Sequence, residues 1–204
     1  MRVCEALQQG SQDWLDWRKN HIGASESGAI LGVNPYSTPI QIWEQKTLGW
    51  ESPMNDAMRD GQLLEPIARA LYESINGVKV EPMVAEWDSN PVISASFDGI
   101  DIKTNTLVEI KCGKSAYRAA KRGILPAYYL CQMAQQMLVA DFYEMDYFVM
   151  DPVSKDYVLM HIQRDDNLIK RLVDANIHFW QHVITHTPPE EKCCNWTCSL
   201  TKEI

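Results

Sequence analysis

Ser96-Phe97-Asp98-Gly99 and Leu107-Val108-Glu109-Ile110-Lys111-Cys112, with ten residues between Asp98 and Glu109, decide how this chain reads. The β-branched and apolar content of Val92–Phe97 and Leu107–Lys111 predicts two strands, with the polar stretch 101–106 turning between them. Residues two apart on a strand project from one face. Glu109 and Lys111 therefore point together, while Val108 and Ile110 point the other way. If the two strands are neighbours in one sheet, Asp98 meets that pair at one edge, so two carboxylates and an ammonium converge. Hard oxygen donors at that density suit Mg²⁺ or Mn²⁺, and a lysine beside them suits metal-assisted hydrolysis of a phosphodiester. The same residues also read as an Asp-Gly turn and a solvated Glu-x-Lys strand edge. Their position on a predicted hairpin favours the first reading.

The chain has 204 residues, 46% of them hydrophobic and 23% charged, enough for one well-buried core and ordinary for a globular enzyme. We expect one domain over 1–204, with its core at about 11–187 and a tail at 188–204. A net charge of -8 argues against a protein that coats nucleic acid indiscriminately. It does not exclude a nuclease, because metal ions offset carboxylates and a local basic lining can hold a duplex. Lys114, Arg118, Lys121 and Arg122 are candidates for such a lining, or else a solvated helix face. No apolar run reaches the length of a membrane span, and the first residues lack the basic and apolar regions of a signal peptide. Both features predict a cytoplasmic protein with no membrane partner. Of six cysteines, Cys112 and Cys131 sit in apolar segments as small core residues. Cys193, Cys194 and Cys198 are close enough to suggest zinc, but their spacing matches no usual pattern.

The remaining segments predict helices on both sides of a mixed sheet. Ser11 opens a helix that runs to Arg18, Ile22–Leu31 forms a second, and Pro39 begins a third that ends at Gly49. A long helical pattern runs over 55–75, with Pro66 as a kink or a break between two abutting helices. Strands follow at 78–87, 143–150 and 156–163. Helices are expected at 115–122, 126–140 and 166–185.

Taken together, Trp14-x-x-x-Arg18, Ile22-Gly23-Ala24-Ser25, Gly61-x-x-x-Glu65, Ser96-x-Asp98-Gly99, Glu109-x-Lys111-Cys112 and Tyr129-Leu130-Cys131-Gln132 resemble the PD-(D/E)XK nuclease superfamily. More narrowly, their order over residues 14–140 is similar to that in the lambda exonuclease or YqaJ-type viral recombinase family, and in particular in phage-type alkaline exonucleases. The family's metal motif begins with proline where this chain has Phe97, a position that supplies no ligand. The resemblance implies an α/β, restriction-endonuclease-like core with a central mixed sheet flanked by helices. It implies a 5′-to-3′ exonuclease that degrades one strand of duplex DNA from a 5′-phosphorylated end to mononucleotides. Such enzymes form homotrimeric rings around DNA and work with a single-strand annealing protein, leaving 3′ overhangs for recombination.

By the same resemblance, Asp98, Glu109 and the Ile110 backbone carbonyl hold two Mg²⁺ (or Mn²⁺) ions per site, with Glu65 completing the shell directly or through water. Otherwise Glu65 is an exposed helix glutamate. Lys111 is assigned to orienting or deprotonating the attacking water, which asks for a lysine depressed from its usual pKa of about 10.4 by nearby metal ions. Arg18, Ser25, Ser96 and Gln132 form the expected 5′-phosphate group, since arginine grips phosphate with a planar fork and hydroxyls donate short hydrogen bonds. Without the resemblance, Arg18 is a solvated helix residue and Ser25 an N-cap. Two other functions stay open: an endonuclease of the same fold, and a non-catalytic DNA-end-binding scaffold.

Overall fold

The computed structural model describes residues 1–50 and 55–190, so Cys193, Cys194 and Cys198 lie outside the described residues. One mixed sheet contains β1 (Arg2–Val3), β2 (Ile22–Gly23), β3 (Glu81–Trp87), β4 (Asn90–Asp101), β5 (Thr106–Cys112), β6 (Glu144–Met150) and β7 (Tyr157–Gln163). The strand order is β1-β3-β4-β5-β6-β7, with β2 beside β4. Only β2–β4 and β5–β6 are parallel among these pairings. A parallel pair needs a long crossover, here supplied by α5 (Lys114–Ala120) and α6 (Ala127–Ala140). The other helices are α1 (Gln12–Arg18), α2 (Ala24–Ile30), α3 (Pro39–Thr47), α4 (Asp56–Asn76) and α7 (Asp166–Ile184).

Alternation along the central strands splits the core into two layers. Leu107, Tyr147 and Val149 join residues of α2, α3, α5, α6 and α7 in the larger cluster. Their strand neighbours Val108, Ile110, Phe148 and Met150 join Ala68 and Tyr72 of α4 in the smaller one. Successive strand residues face opposite ways, so α4 covers one side of the sheet and the remaining core helices cover the other. Burying both faces explains why Leu107-Val108 on β5 and Tyr147-Phe148-Val149-Met150 on β6 are consecutive apolar residues. A charged residue buried on such a strand therefore stands out.

β4 and β5 form only a short ladder, Gly99↔Val108, Ile100↔Leu107 and Asp101↔Thr106. The ladder stops before Asp98, and this opening positions the site. Gly99 lies at the last pair. A Cβ there would stand 2.6 Å from Val80 Cγ2 and 2.8 Å from Val108 Cγ1, so only glycine fits beneath α4.

Two expectations are corrected. Ile22 does not begin a helix: Ile22 and Gly23 pair in parallel with Ile93 and Ser94, and α2 starts at Ala24. Gly23 is the N-cap, and its N–H donates to Glu26 Oε2 at 2.9 Å, which fixes the switch from strand to helix. Nor does Pro66 divide the long helix, since α4 runs unbroken from Asp56 to Asn76. Pro66 and Gln62 are both exposed, so the carbonyl deprived of its partner faces water rather than the core. Asn55 caps the start of α4 and Gly77, at φ 65°, ends it.

Candidate active site

Asp98 stands where β4 and β5 part. Its Oδ2 accepts the Ile110 N–H at 2.8 Å, a side chain replacing the missing rung of the ladder. The N–H and C=O of one strand residue point toward the same neighbouring strand, so the Ile110 carbonyl also faces the Asp98 side. The Ile110 side chain is buried against α4, as the sequence predicts. Burial, then the nearby Glu109, pushes the Asp98 carboxyl well above the usual carboxylate range; Glu65 adds to this, while Lys111 and the Ile110 N–H oppose it.

Glu109 is fully buried. Gln132 Nε2 donates to its Oε1 at 2.7 Å and Gln136 Nε2 to its Oε2 at 2.6 Å, while Lys111 Nζ forms an ion pair with Oε1. Lys111 Nζ also sits 5.0 Å from the centre of the Tyr129 ring. Burial alone would lower the Lys111 ammonium, but Glu109 and Asp98 outweigh it and hold its pKa above the ordinary lysine value. In this arrangement Lys111 is therefore a charged donor, whereas the depressed lysine expected from the sequence belongs to a site with metal ions bound. The cause is the pair of carboxylates facing it.

Glu65 reaches the same region from α4. It pairs with Arg69 one turn on, and Arg69 Nε donates to the Asp98 carbonyl at 2.6 Å. Burial raises the Glu65 carboxyl, with Glu109 adding to it and Arg69 and Lys111 opposing it. Glu65, Asp98 and Glu109 thus influence one another electrostatically. As arranged, however, no group of three or more His, Cys, Asp or Glu among the described residues is grouped to hold a metal ion.

Beside this cluster a cleft of about 100 Å³ is lined by Trp14, Arg18, Ser25, Ser96, Asp98 and Gln132, among others. Ser94, Ser96 and Asp98 are alternate residues of β4 and all line it, as the strand period requires. Arg18 Nη2 lies 3.4 Å from Ser25 Oγ and 2.9 Å from Glu26 Oε1, and its guanidinium stacks 4.7 Å from the Trp14 ring. Trp14 Nε1 donates to Ser96 Oγ at 3.1 Å. Arg18, Ser25, Ser96 and Gln132 therefore share one concavity with Asp98. Gln132 spans both groups, since its amide is spent on Glu109. Lys114, Arg118, Lys121 and Arg122 are all exposed on and just after α5.

Sequence reasoning missed four participants. Trp14 was visible in Trp14-x-x-x-Arg18, because residues four apart share a helix face, and Arg69 was visible in the same way beside Glu65. Glu26 and Gln136 carry no such signal. Glu26 is buried, receives Lys46 Nζ at 2.8 Å as well as Arg18, and orients the guanidinium. Gln136 reaches Glu109 only because α6 crosses the opened sheet.

The family described as the YqaJ-like viral recombinase domain matches residues 13–143. A Bacillus subtilis (strain 168) protein, the uncharacterized protein YqaJ, is 28% identical over 189 residues; the match covers 86% of this chain and 58% of that relative's length. An alkaline exonuclease from Laribacter hongkongensis, LHK-Exo, superimposes with a TM-score of 0.73 at 25% identity over 87% of this chain and 94% of its own. One of its crystal structures is a complex with dAMP. A phage-related exonuclease from Haemophilus somnus 129PT, 18% identical with a TM-score of 0.58 over 81% of this chain and 96% of its own, shares the fold.

Proposed function

Because the chain belongs to the YqaJ-like viral recombinase family, we propose that it is a metal-dependent 5′-to-3′ exonuclease that shortens one strand of linear duplex DNA from a 5′-phosphorylated end, releasing mononucleotides. Its fold is the restriction-endonuclease-like α/β fold of phage-type exonucleases. One observation carries the reading: Arg18, Ser25 and Ser96, whose chemistry suits a phosphate, line the same cleft as the Asp98 carboxylate. The presence of dAMP, a deoxynucleoside monophosphate, in LHK-Exo fits a mononucleotide product.

Asp98, Glu109, the Ile110 carbonyl and Glu65 are the groups that would hold Mg²⁺ or Mn²⁺, two ions to a site. Their chemistry fits, for they are hard oxygen donors, and burial together with the neighbouring Glu109 and Glu65 already raises the Asp98 carboxyl. Held by these groups, a divalent ion would supply Lewis-acid chemistry, making water more acidic and offsetting charge that builds up around the phosphorus. Gln132 and Gln136 fix the plane of the Glu109 carboxylate. Lys111 would orient or deprotonate the attacking water and balance charge near the phosphate. Arg18 grips the terminal phosphate with its fork, aided by the Ser25 and Ser96 hydroxyls. Trp14 and Glu26 keep that fork in place. Lys114, Arg118, Lys121 and Arg122 would run along the duplex backbone. A homotrimeric ring, a cytoplasmic location and a single-strand annealing protein as partner belong to the same reading and rest on the family.

The test is a time course on linear duplexes bearing 5′-phosphate or 5′-hydroxyl ends, with and without Mg²⁺, beside a covalently closed circle. Mononucleotides should leave the 5′-phosphorylated strand only when Mg²⁺ is present, and the circle should survive. Nicking of the circle would replace this reading with an endonuclease. Arg18→Ala should narrow the preference for phosphorylated ends, and equal loss on both ends would remove its role as the anchor.

A further inference from the structure

Tyr36 is 78% exposed, the most exposed of the large hydrophobic side chains among the described residues. A lone exposed aromatic needs no explanation, but this one is fixed relative to the chemistry. Its ring stands edge-to-face with Tyr128, centroids 5.8 Å apart at 88°. Tyr128 lies against Tyr129 at 4.3 Å, and Tyr129 covers the Lys111 ammonium at 5.0 Å. Three contacts therefore lead from an open aromatic surface to Lys111, which pairs with Glu109 beside the cleft.

The loop that carries Tyr36 is pinned. Val33 and Asn34 both donate their N–H to the Gly28 carbonyl, at 2.9 and 3.1 Å, and the Tyr36 N–H donates to Asn34 Oδ1 at 2.9 Å. Thr38 then caps α3, its hydroxyl accepting the Gln41 N–H. Gly28 itself lies so close to Tyr128 that an added Cβ would meet the Tyr128 Cα at 3.0 Å, which seats α2 firmly on α6. A ring held this way loses little freedom when something stacks on it.

We propose that Tyr36 is a stacking platform for an unpaired nucleobase of the DNA end held in the cleft, a subsite that rests on the exonuclease reading above. The perpendicular arrangement leaves at least one Tyr36 face uncovered by Tyr128, and every base offers a π-face to it. At about 3.4 Å per stacked nucleotide, the contact path from Lys111 corresponds to a few nucleotides. The base engaged is thus one near the end, where pairing is weakest.

Duplexes carrying 2-aminopurine at each of the first four 5′-strand positions test this with the full chain, Ca²⁺ replacing Mg²⁺ to hold the DNA uncut. Wild type should quench the probe at one or two positions. Tyr36→Ala should lose that quenching and bind ended DNA about 5- to 150-fold more weakly, with an unchanged melting temperature because the ring is exposed. Tyr36→Trp should restore both. If Tyr36→Ala binds and quenches like wild type, the platform is refuted while the exonuclease reading stands. If wild type fails to bind ended DNA at all, both fall.

Discussion

Glu26 accepts from Arg18, Lys46 and the Gly23 N–H at once, almost wholly away from water. Burial pushes its carboxyl up, but Lys46, Arg18 and the Gly23 N–H outweigh burial and hold its pKa below the ordinary value. A carboxyl depressed in the folded state contributes stability above its unfolded pKa, near 4.3, and loses it as pH falls through the folded value. Glu26→Gln leaves the Lys46 ammonium, 3% exposed, without a counter-charge. Breaking a buried pair costs about 3–5 kcal/mol, so the melting temperature at pH 7 should fall by about 6–20 °C. That gap should begin to close only below the unfolded pKa near 4.3 and vanish as pH falls through the still lower folded value, where the wild-type carboxyl also loses its charge. Melting curves from pH 3 to 8 check it, and a gap that does not vary with pH would refute the assignment. The sequence showed Glu26 only as a polar residue near a helix start, because its partners Arg18 and Lys46 meet it through folding alone.

Among the elements, α6 does what β4 and β5 leave undone. Where the ladder ends, Gln136 Nε2 donates to both the Ser96 carbonyl, at 3.2 Å, and Glu109 Oε2, tying β4 to β5. Gln135 ties Ile22 to Ser94 through its own amide, at 2.9 Å to each carbonyl. Gln136→Leu preserves the helix and removes the tie. Each of the two buried acceptors left without a donor costs about 1–3 kcal/mol, so melting should drop by about 4–24 °C, and turnover should fall with it. Unchanged stability would mean that Ser96 and Glu109 hold their places without α6. The helix itself is legible in the sequence, predicted at 126–140 and found at 127–140. Its functional face is not, because apolar periodicity marks what a helix buries and gives no account of polar residues buried with it. β2 is illegible for a related reason: two residues have no period, and only β4 makes them a strand.

At the scale of the molecule, the net charge of -8 means that the proposed DNA binding must rest on local features. A ring of identical chains encircling the duplex would multiply such weak local contacts, as multivalent binding does. Sedimentation should therefore show three chains of 23.3 kDa in one species, stable over dilution to working concentration. A monomer throughout would confine the proposal to a distributive enzyme. Apolar side chains left open on α4, Leu63 at 69% and Ile67 at 53%, are consistent with surfaces that assembly could cover.

By itself the sequence determined the alternation of helices and strands, the strand-borne pair Glu109 and Lys111, and the hairpin that brings Asp98 to them. All of these are local, set by side-chain period, turn residues and caps within a few positions. Tertiary structure alone decided that β4 and β5 separate just before Asp98, that α6 fills the opening with amides, and that Lys111 faces two carboxylates which keep it charged. Those outcomes depend on contacts between residues tens of positions apart, whose distance and burial no local pattern encodes.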